Sequence, residues 1–130
     1  MKVAFMSSVC PAMTLAELIA AGQKHGYEGI EFRPEWDQKH GIELAMSPAD
    51  RKDAAQMLAD GGLAGCCLSP GVWFSKEEEG ARDEELAKLL TFIDLAADTK
   101  IGRVRVFGDP LPNMGGRRRA ANYEGQAEYL

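Results

Sequence analysis

Four side chains have the type and spacing to meet a small polar ligand. Glu31 and Arg33 stand two residues apart in GYEGIEFRPEW (residues 26–36), His40 follows in KHGIEL, and Arg105 lies in RVRVFG (residues 103–108). A carboxylate accepts hydrogen bonds from a ligand's hydroxyls or pairs with a cation, an arginine fork grips a carboxylate or phosphate through two parallel N–H bonds, and an imidazole can donate as well as accept. Each also has a plainer use. Glu31 fits an internal ion pair with Arg33 or Arg105 better than an isolated contact to a hydroxyl. His40 is either a substrate donor or an exposed loop histidine. Trp36, Trp73 and Phe74 follow apolar runs, where they could wall a site by stacking or simply pack their loops. His25 falls at the end of a helical stretch, where the helix dipole favours a cation and no function is needed.

The elements that must position these groups alternate along the chain. The short apolar run KVAFMSSV reads as a first strand, broken by Cys10-Pro11. Thr14 with Glu17 three residues later forms a capping box, and the helix it opens closes at Gly26 behind Lys24 and His25. GIEFR (29–33) is a second strand stopped by Pro34; Ser47-Pro48 supplies a capping hydroxyl and a first-turn proline for a second helix ending at Gly61-Gly62. LAGCCLS (63–69) is a third strand, the stretch from Asp83 to Lys100 a third helix with apolar residues at helical spacing, RVRVFG a fourth strand, and RRRAANYEGQAEYL (117–130) the start of a fourth helix. Four strand–helix units of this size imply an α/β protein with a parallel sheet and right-handed crossovers, and the unbroken composition implies one domain over residues 1–130.

Strand faces decide the architecture. Ile30 and Phe32 share one face of the second strand and Glu31 and Arg33 the other; in the fourth, Val104 and Val106 oppose Arg103, Arg105 and Phe107. An open sheet covered by helices on both sides would bury those charges at a cost of several kcal/mol for each unpaired ion. A (β/α)8 barrel covers only the outer face, and its inner face ends at a polar mouth where active sites are built. The expected fold is therefore four βα units forming half of a TIM barrel, with Glu31, Arg33 and Arg105 facing inward. Across the third strand, Gly65, Cys67 and Ser69 share that inward parity and leave room for an arginine to reach Glu31, so an ion pair between Glu31 and Arg105 is expected.

Composition removes several function classes. The net charge of −5 argues against a nucleic-acid surface, and the one basic cluster, Arg117 to Arg119, has no interleaved aromatics for stacking. Glu77 to Glu79 read as a solvated acidic loop. No glycine-rich phosphate motif follows the first strand, and Gly115-Gly116 is only a weak phosphate signal. Three cysteines, two of them adjacent, suit neither a disulfide framework nor a C-x-x-C metal site and read as reduced, mostly buried thiols. With no membrane span and no signal peptide in view, the cytoplasm is the expected compartment.

YEGIEFRPEW, HGIEL, the Ser-Pro opening of the second helix and RVRVFGDPLP resemble, in order and spacing, the N-terminal half of the xylose isomerase-like TIM barrels. That superfamily includes sugar isomerases, sugar epimerases, inosose dehydratases and relatives of endonuclease IV. The resemblance implies a barrel of roughly 250 residues, so this chain supplies half. It also implies that the metal ligands (two glutamates, an aspartate and a histidine) and the proton-transfer carboxylates lie on later strands, so no catalytic or metal-binding residue is assigned here. A divalent metal (Mn, Mg, Co or Zn) is expected only for a full-length parent, and the chain, lacking a helix stop at its end, reads as a fragment of one. Two functions follow: the N-terminal half of a metal-dependent sugar or polyol isomerase or epimerase, contributing Glu31, Arg33, His40 and Arg105 to substrate binding; or a catalytically silent stand-alone half-barrel. Either would form a homodimer or pair with the missing C-terminal half.

Overall fold

The computed structural model describes residues 1–75 and 80–108. The fourth helix, the Arg117 to Arg119 cluster, Gly115-Gly116 and the Glu77 to Glu79 run lie outside the described residues. Among the described residues two compact units are present, one of residues 1–70 with 92–105, the other of residues 71–75, 80–91 and 106–108.

In the first unit, β1 (Ala4–Met6) runs into a single 3-10 turn, and α1 (Leu15–His25) follows. The helix starts where the sequence demands it: the Thr14 backbone N–H donates to Glu17 Oε2 at 2.7 Å and the Glu17 N–H to Thr14 Oγ1 at 3.4 Å, which satisfies two otherwise unpaired amides. It stops at Gly26, whose φ of 74° a side chain would oppose. Leu15, Leu18 and Ile19 form its buried stripe. β2 (Gly29–Phe32) then leads through a loop to α2 (Pro48–Asp60), capped in the same reciprocal way by Ser47 and Asp50, and to β3 (Ala64–Leu68).

The sheet is parallel in the order β1-β2-β3. Ile30, Phe32 and Leu68 are fully buried on the helix-covered face, as the alternation of β2 predicts. β3 departs from simple alternation. Ile30 pairs with Gly65 but Glu31 pairs with Cys67, so Cys66 is an extra residue in a β-bulge. The consequence corrects the expected parity of Gly65. A Cβ placed there would lie 2.7 Å from Ile101 Cγ1 and 3.4 Å from Leu58 Cδ1, among core side chains on the helix side. A Cβ on Gly29 instead approaches Cys66 Cβ (3.4 Å) and Ala4 Cβ (3.6 Å), so Cys66 shares the opposite, inner face with Gly29 and Glu31.

The expected fourth strand is reduced to single parallel bridges. Val104 bridges to Leu68 in the first unit, with Arg105 N–H donating to Leu68 O and Leu68 N–H to Arg103 O, both at 2.8 Å. In the second unit Phe107 bridges to Trp73, and the two rings stack with centroids 4.3 Å apart. Pro70 has no N–H to contribute, which interrupts any continuous ladder along residues 68–73. The third helix, α3 (Ala81–Asp98), begins two residues before the expected start. Within the second unit Glu85 accepts from the Trp73 backbone N–H at 2.8 Å, and Phe74 is buried. No helix among the described residues is long and apolar enough to cross a membrane.

Candidate ligand site on the inner face of the sheet

On the face of the sheet opposite the helices, Glu31 is the central charge. Ser69 Oγ donates to Glu31 Oε1 at 2.5 Å, and Arg105 Nε stands 3.7 Å from the same oxygen. The expected Glu31–Arg105 pair is present, and Ser69 completes it from the end of β3. The Arg105 side chain is 39% exposed and that of Glu31 26%, so the pair adds at most about 1 kcal/mol to stability. Its effect is to hold a half-exposed carboxylate in one place.

Cys67 flanks the carboxylate, with Sγ 3.6 Å from Ser69 Oγ. The three cysteines are free thiols and half-buried, more open than expected. Burial, with the Cys67 thiol and then the Glu31 carboxylate beside it, pushes the Cys66 thiol up, which keeps it protonated and unreactive at neutral pH.

Arg33 leaves the end of β2 with its backbone pinned on both sides. Its N–H donates to Ser7 Oγ at 3.0 Å and its carbonyl accepts from His40 Nε2 at 3.1 Å. Its guanidinium lies over the Trp36 ring, 4.3 Å from the centroid. Trp36 and Asp37 both adopt left-handed backbone conformations, φ 65° and 50°, in the loop that makes this stack.

His40 is where structure and sequence differ most. It is neither an exposed loop histidine nor free to donate to a substrate, because it is buried and both ring nitrogens are taken up within the chain. The Ile42 backbone N–H donates to Nδ1 at 3.0 Å; since that amide can only donate, Nδ1 carries no proton and Nε2 does. Nε2 also lies 3.2 Å from Ser7 Oγ, and Phe32 meets the ring edge-on. His40 therefore ties the ends of β1 and β2 to the following loop. Ser7, its fully buried partner, was missed in the sequence; the available signal was a hydroxyl at the C-terminal end of an apolar strand, where a barrel has its mouth.

This arrangement sets a pH dependence. Burial pushes the His40 imidazole down from its ordinary value of 6.5, and the hydrogen bond to the Arg33 carbonyl opposes that only in part. The folded chain then binds the proton less readily than the unfolded chain. The stabilisation is complete above pH 6.5 and is lost as pH falls from there towards the folded-state value. Urea midpoints measured from pH 8 down to pH 5 are expected to decline below about 6.5 in the wild type and to decline less in His40→Asn, whose amide does not titrate there. Parallel profiles for the two proteins would remove His40 as the cause.

A cavity of about 310 Å³ opens under the loop after β2, lined by Trp36, Asp37, Glu43 and Phe92 among others, but Glu31, Arg33 and Arg105 do not line it. Among the described residues no three histidine, cysteine, aspartate or glutamate side chains converge to hold a metal ion, so they do not fit a divalent cation.

Comparison by structure supplies the larger frame. The chain is similar to the crystal structure of D-psicose 3-epimerase in the presence of D-fructose, with a TM-score of 0.73 and 17% identity over 99% of this chain. It covers 46% of the epimerase, so it spans about half of that protein's length. The fold is half of a (β/α)8 barrel. No protein-family model matches the chain, and no curated sequence matches it. At this identity the likeness speaks for the fold alone.

Proposed function

We propose that the chain is the N-terminal, substrate-holding half of a sugar or polyol isomerase or epimerase. The observation that carries this is the carboxylate of Glu31, fixed by Ser69 and Arg105 on the inner face of a half-barrel similar to that of a sugar epimerase. A half-exposed carboxylate held by a hydroxyl and a guanidinium retains acceptor capacity for sugar hydroxyls. Arg105 supplies a donor beside it, Arg33 would contribute from the end of the same strand, and His40 acts indirectly by fixing the Arg33 backbone. The acid–base groups, and the divalent metal of a full-length parent, come from residues other than those described. In this reading the protein works in the cytoplasm and completes its barrel with the missing half or with a second copy. In a second reading the chain is a catalytically silent stand-alone half-barrel that associates with itself or with another half.

Calorimetric titration with D-fructose tests the first reading. Glu31→Ala is expected to weaken binding about tenfold, which corresponds to ~1.4 kcal/mol. A thermal melt of the variant checks that the fold is kept. Absence of ketose binding by the wild type, or an unchanged affinity in a folded variant, would overturn the proposal. Mass spectrometry of the intact cellular product against its gene separates the readings: a longer product supports the first, and a product of 130 residues the second.

A further inference from the structure

We propose that Cys66 and Cys67 form a vicinal dithiol site that takes a trivalent arsenical across both sulfurs. The proposal does not depend on the sugar reading. Along a regular strand neighbouring side chains point to opposite faces, so adjacent cysteines ordinarily cannot act together. The bulge in β3 removes that separation. Gly29 pairs with Ala64 and Glu31 with Cys67, and Gly29 and Glu31 share the inner face by period two. Cys66, two residues after Ala64, shares that face as well, its Cβ lying 3.4 Å from a Cβ placed on Gly29. Cys67 stands there beside Ser69, with Sγ 3.6 Å from Ser69 Oγ. The thiols are close enough that charge on Cys67 opposes ionisation of Cys66. Both are free and half-buried.

Geometry and charge select the ligand. Neighbouring Cα atoms lie about 3.8 Å apart across a trans peptide, short of the roughly 4.4–6.8 Å span of an ordinary disulfide. The two sulfurs are therefore better bridged by a third atom than joined to each other. Sulfur ligands call for a soft, thiophilic centre. Zinc takes four ligands, and among the described residues no three histidine, cysteine, aspartate or glutamate side chains converge. A trivalent arsenical needs only two sulfurs, because its own substituent occupies the third bond. Copper(I) also accepts two sulfurs but leaves an anionic bis-thiolate beside the Glu31 carboxylate, whereas the arsenical leaves no charge there. With an arsine oxide, two S–H bonds and the As=O bond break, two As–S bonds form, and the oxygen departs with both protons as water. Arsenic stays trivalent and nothing is oxidised. Burial and the neighbouring Cys67 and Glu31 hold Cys66 protonated, so Cys67 bonds first and Cys66 closes the bridge. A cavity of about 570 Å³ at the N-terminal end of the sheet, lined by Cys66 with Ala4, Gly29, Ala64 and Gly102 among others, gives the substituent on arsenic its room.

The test titrates the intact chain with phenylarsine oxide and follows it by mass spectrometry and thiol counting. One equivalent is expected to bind tightly and to remove two of the three free thiols. The dithiol 2,3-dimercaptopropanol is expected to release it, and glutathione at the same thiol concentration is not. Cys66→Ser and Cys67→Ser are each expected to weaken binding at least about a hundredfold, the loss of a two-point attachment, while Cys10→Ser keeps it. Thermal melts confirm that the variants are folded. The wild-type urea midpoint supplies a readout that needs no variant. A pair already side by side binds in the folded chain at least as well as in the unfolded one, so the arsenical should leave the midpoint unchanged or raise it. A lowered midpoint means that the thiols meet only after unfolding, and overturns the proposal. Loss of one thiol per arsenical, release by glutathione, or undiminished affinity in a folded Cys66→Ser or Cys67→Ser variant overturns it as well.

Discussion

A Phe32→Ala variant is expected to lose about 3–5 kcal/mol of folding stability, a large share of the roughly 5–15 kcal/mol that a domain of this kind possesses. Phe32 is fully buried, at the end of the central strand, so its removal leaves a cavity that rigid neighbours on both sides cannot fill. The ring also supports His40 edge-on, with centroids 5.2 Å apart. Loss of the ring therefore loosens the residue that pins the Arg33 carbonyl, and the sugar binding proposed above should weaken beyond what the unfolded fraction accounts for. Urea denaturation gives the stability and calorimetry on the folded fraction gives the binding. Phe32→Leu keeps most of the volume and should cost under about 1.5 kcal/mol. A loss below about 1 kcal/mol for the alanine variant would contradict the burial described for this strand.

The second large effect is expected at Gly65. Valine there drives a branched side chain into Ile101 and Leu58, with the first carbon already 2.7 Å from Ile101 Cγ1. Overpacking of a buried site costs about 1–3 kcal/mol, and more where the backbone must shift. Cys67→Val, on the opposite and half-buried face, should cost under about 1 kcal/mol. Thermal melts of the two variants compare them directly. Without a bulge both residues would point the same way, so similar costs for the two substitutions would remove it.

Much of the fold could be read locally. Thr14 with Glu17 and Ser47 with Pro48 declare their helices within four residues, and Gly26 stops the first because it accepts a backbone that side chains resist. The period-two pattern of Ile30, Glu31, Phe32 and Arg33 gave both the strand and its faces, and the pairing of Glu31 with Arg105 followed from parity and reach. The bulge was invisible because the second of two adjacent cysteines suits either face, so nothing in the letters marks where the alternation slips. The burial of His40 was hidden for a different reason: Ser7 lies 33 residues away, and only the folded sheet brings the two together. The fourth strand was overestimated because its apolar pattern is sound while its partner segment contains Pro70, and a ladder depends on both sides.

The bulge at Cys66 and Cys67 also bears on how this strand can change in length. Ala64, Gly65 and Cys66 alternate normally before it, and Leu68 and Ser69 resume the alternation after Cys67. Removal of one cysteine would straighten the strand and leave Gly65 against the helices and Ser69 against Glu31. Anywhere else in β3 the same deletion would turn every following side chain to the wrong face. The position is thus a length-tolerant joint in an otherwise length-intolerant element. Any residue-by-residue alignment of this chain with a protein that lacks the bulge must open its gap there, or it will assign the role of Ser69 to a neighbour that faces the core.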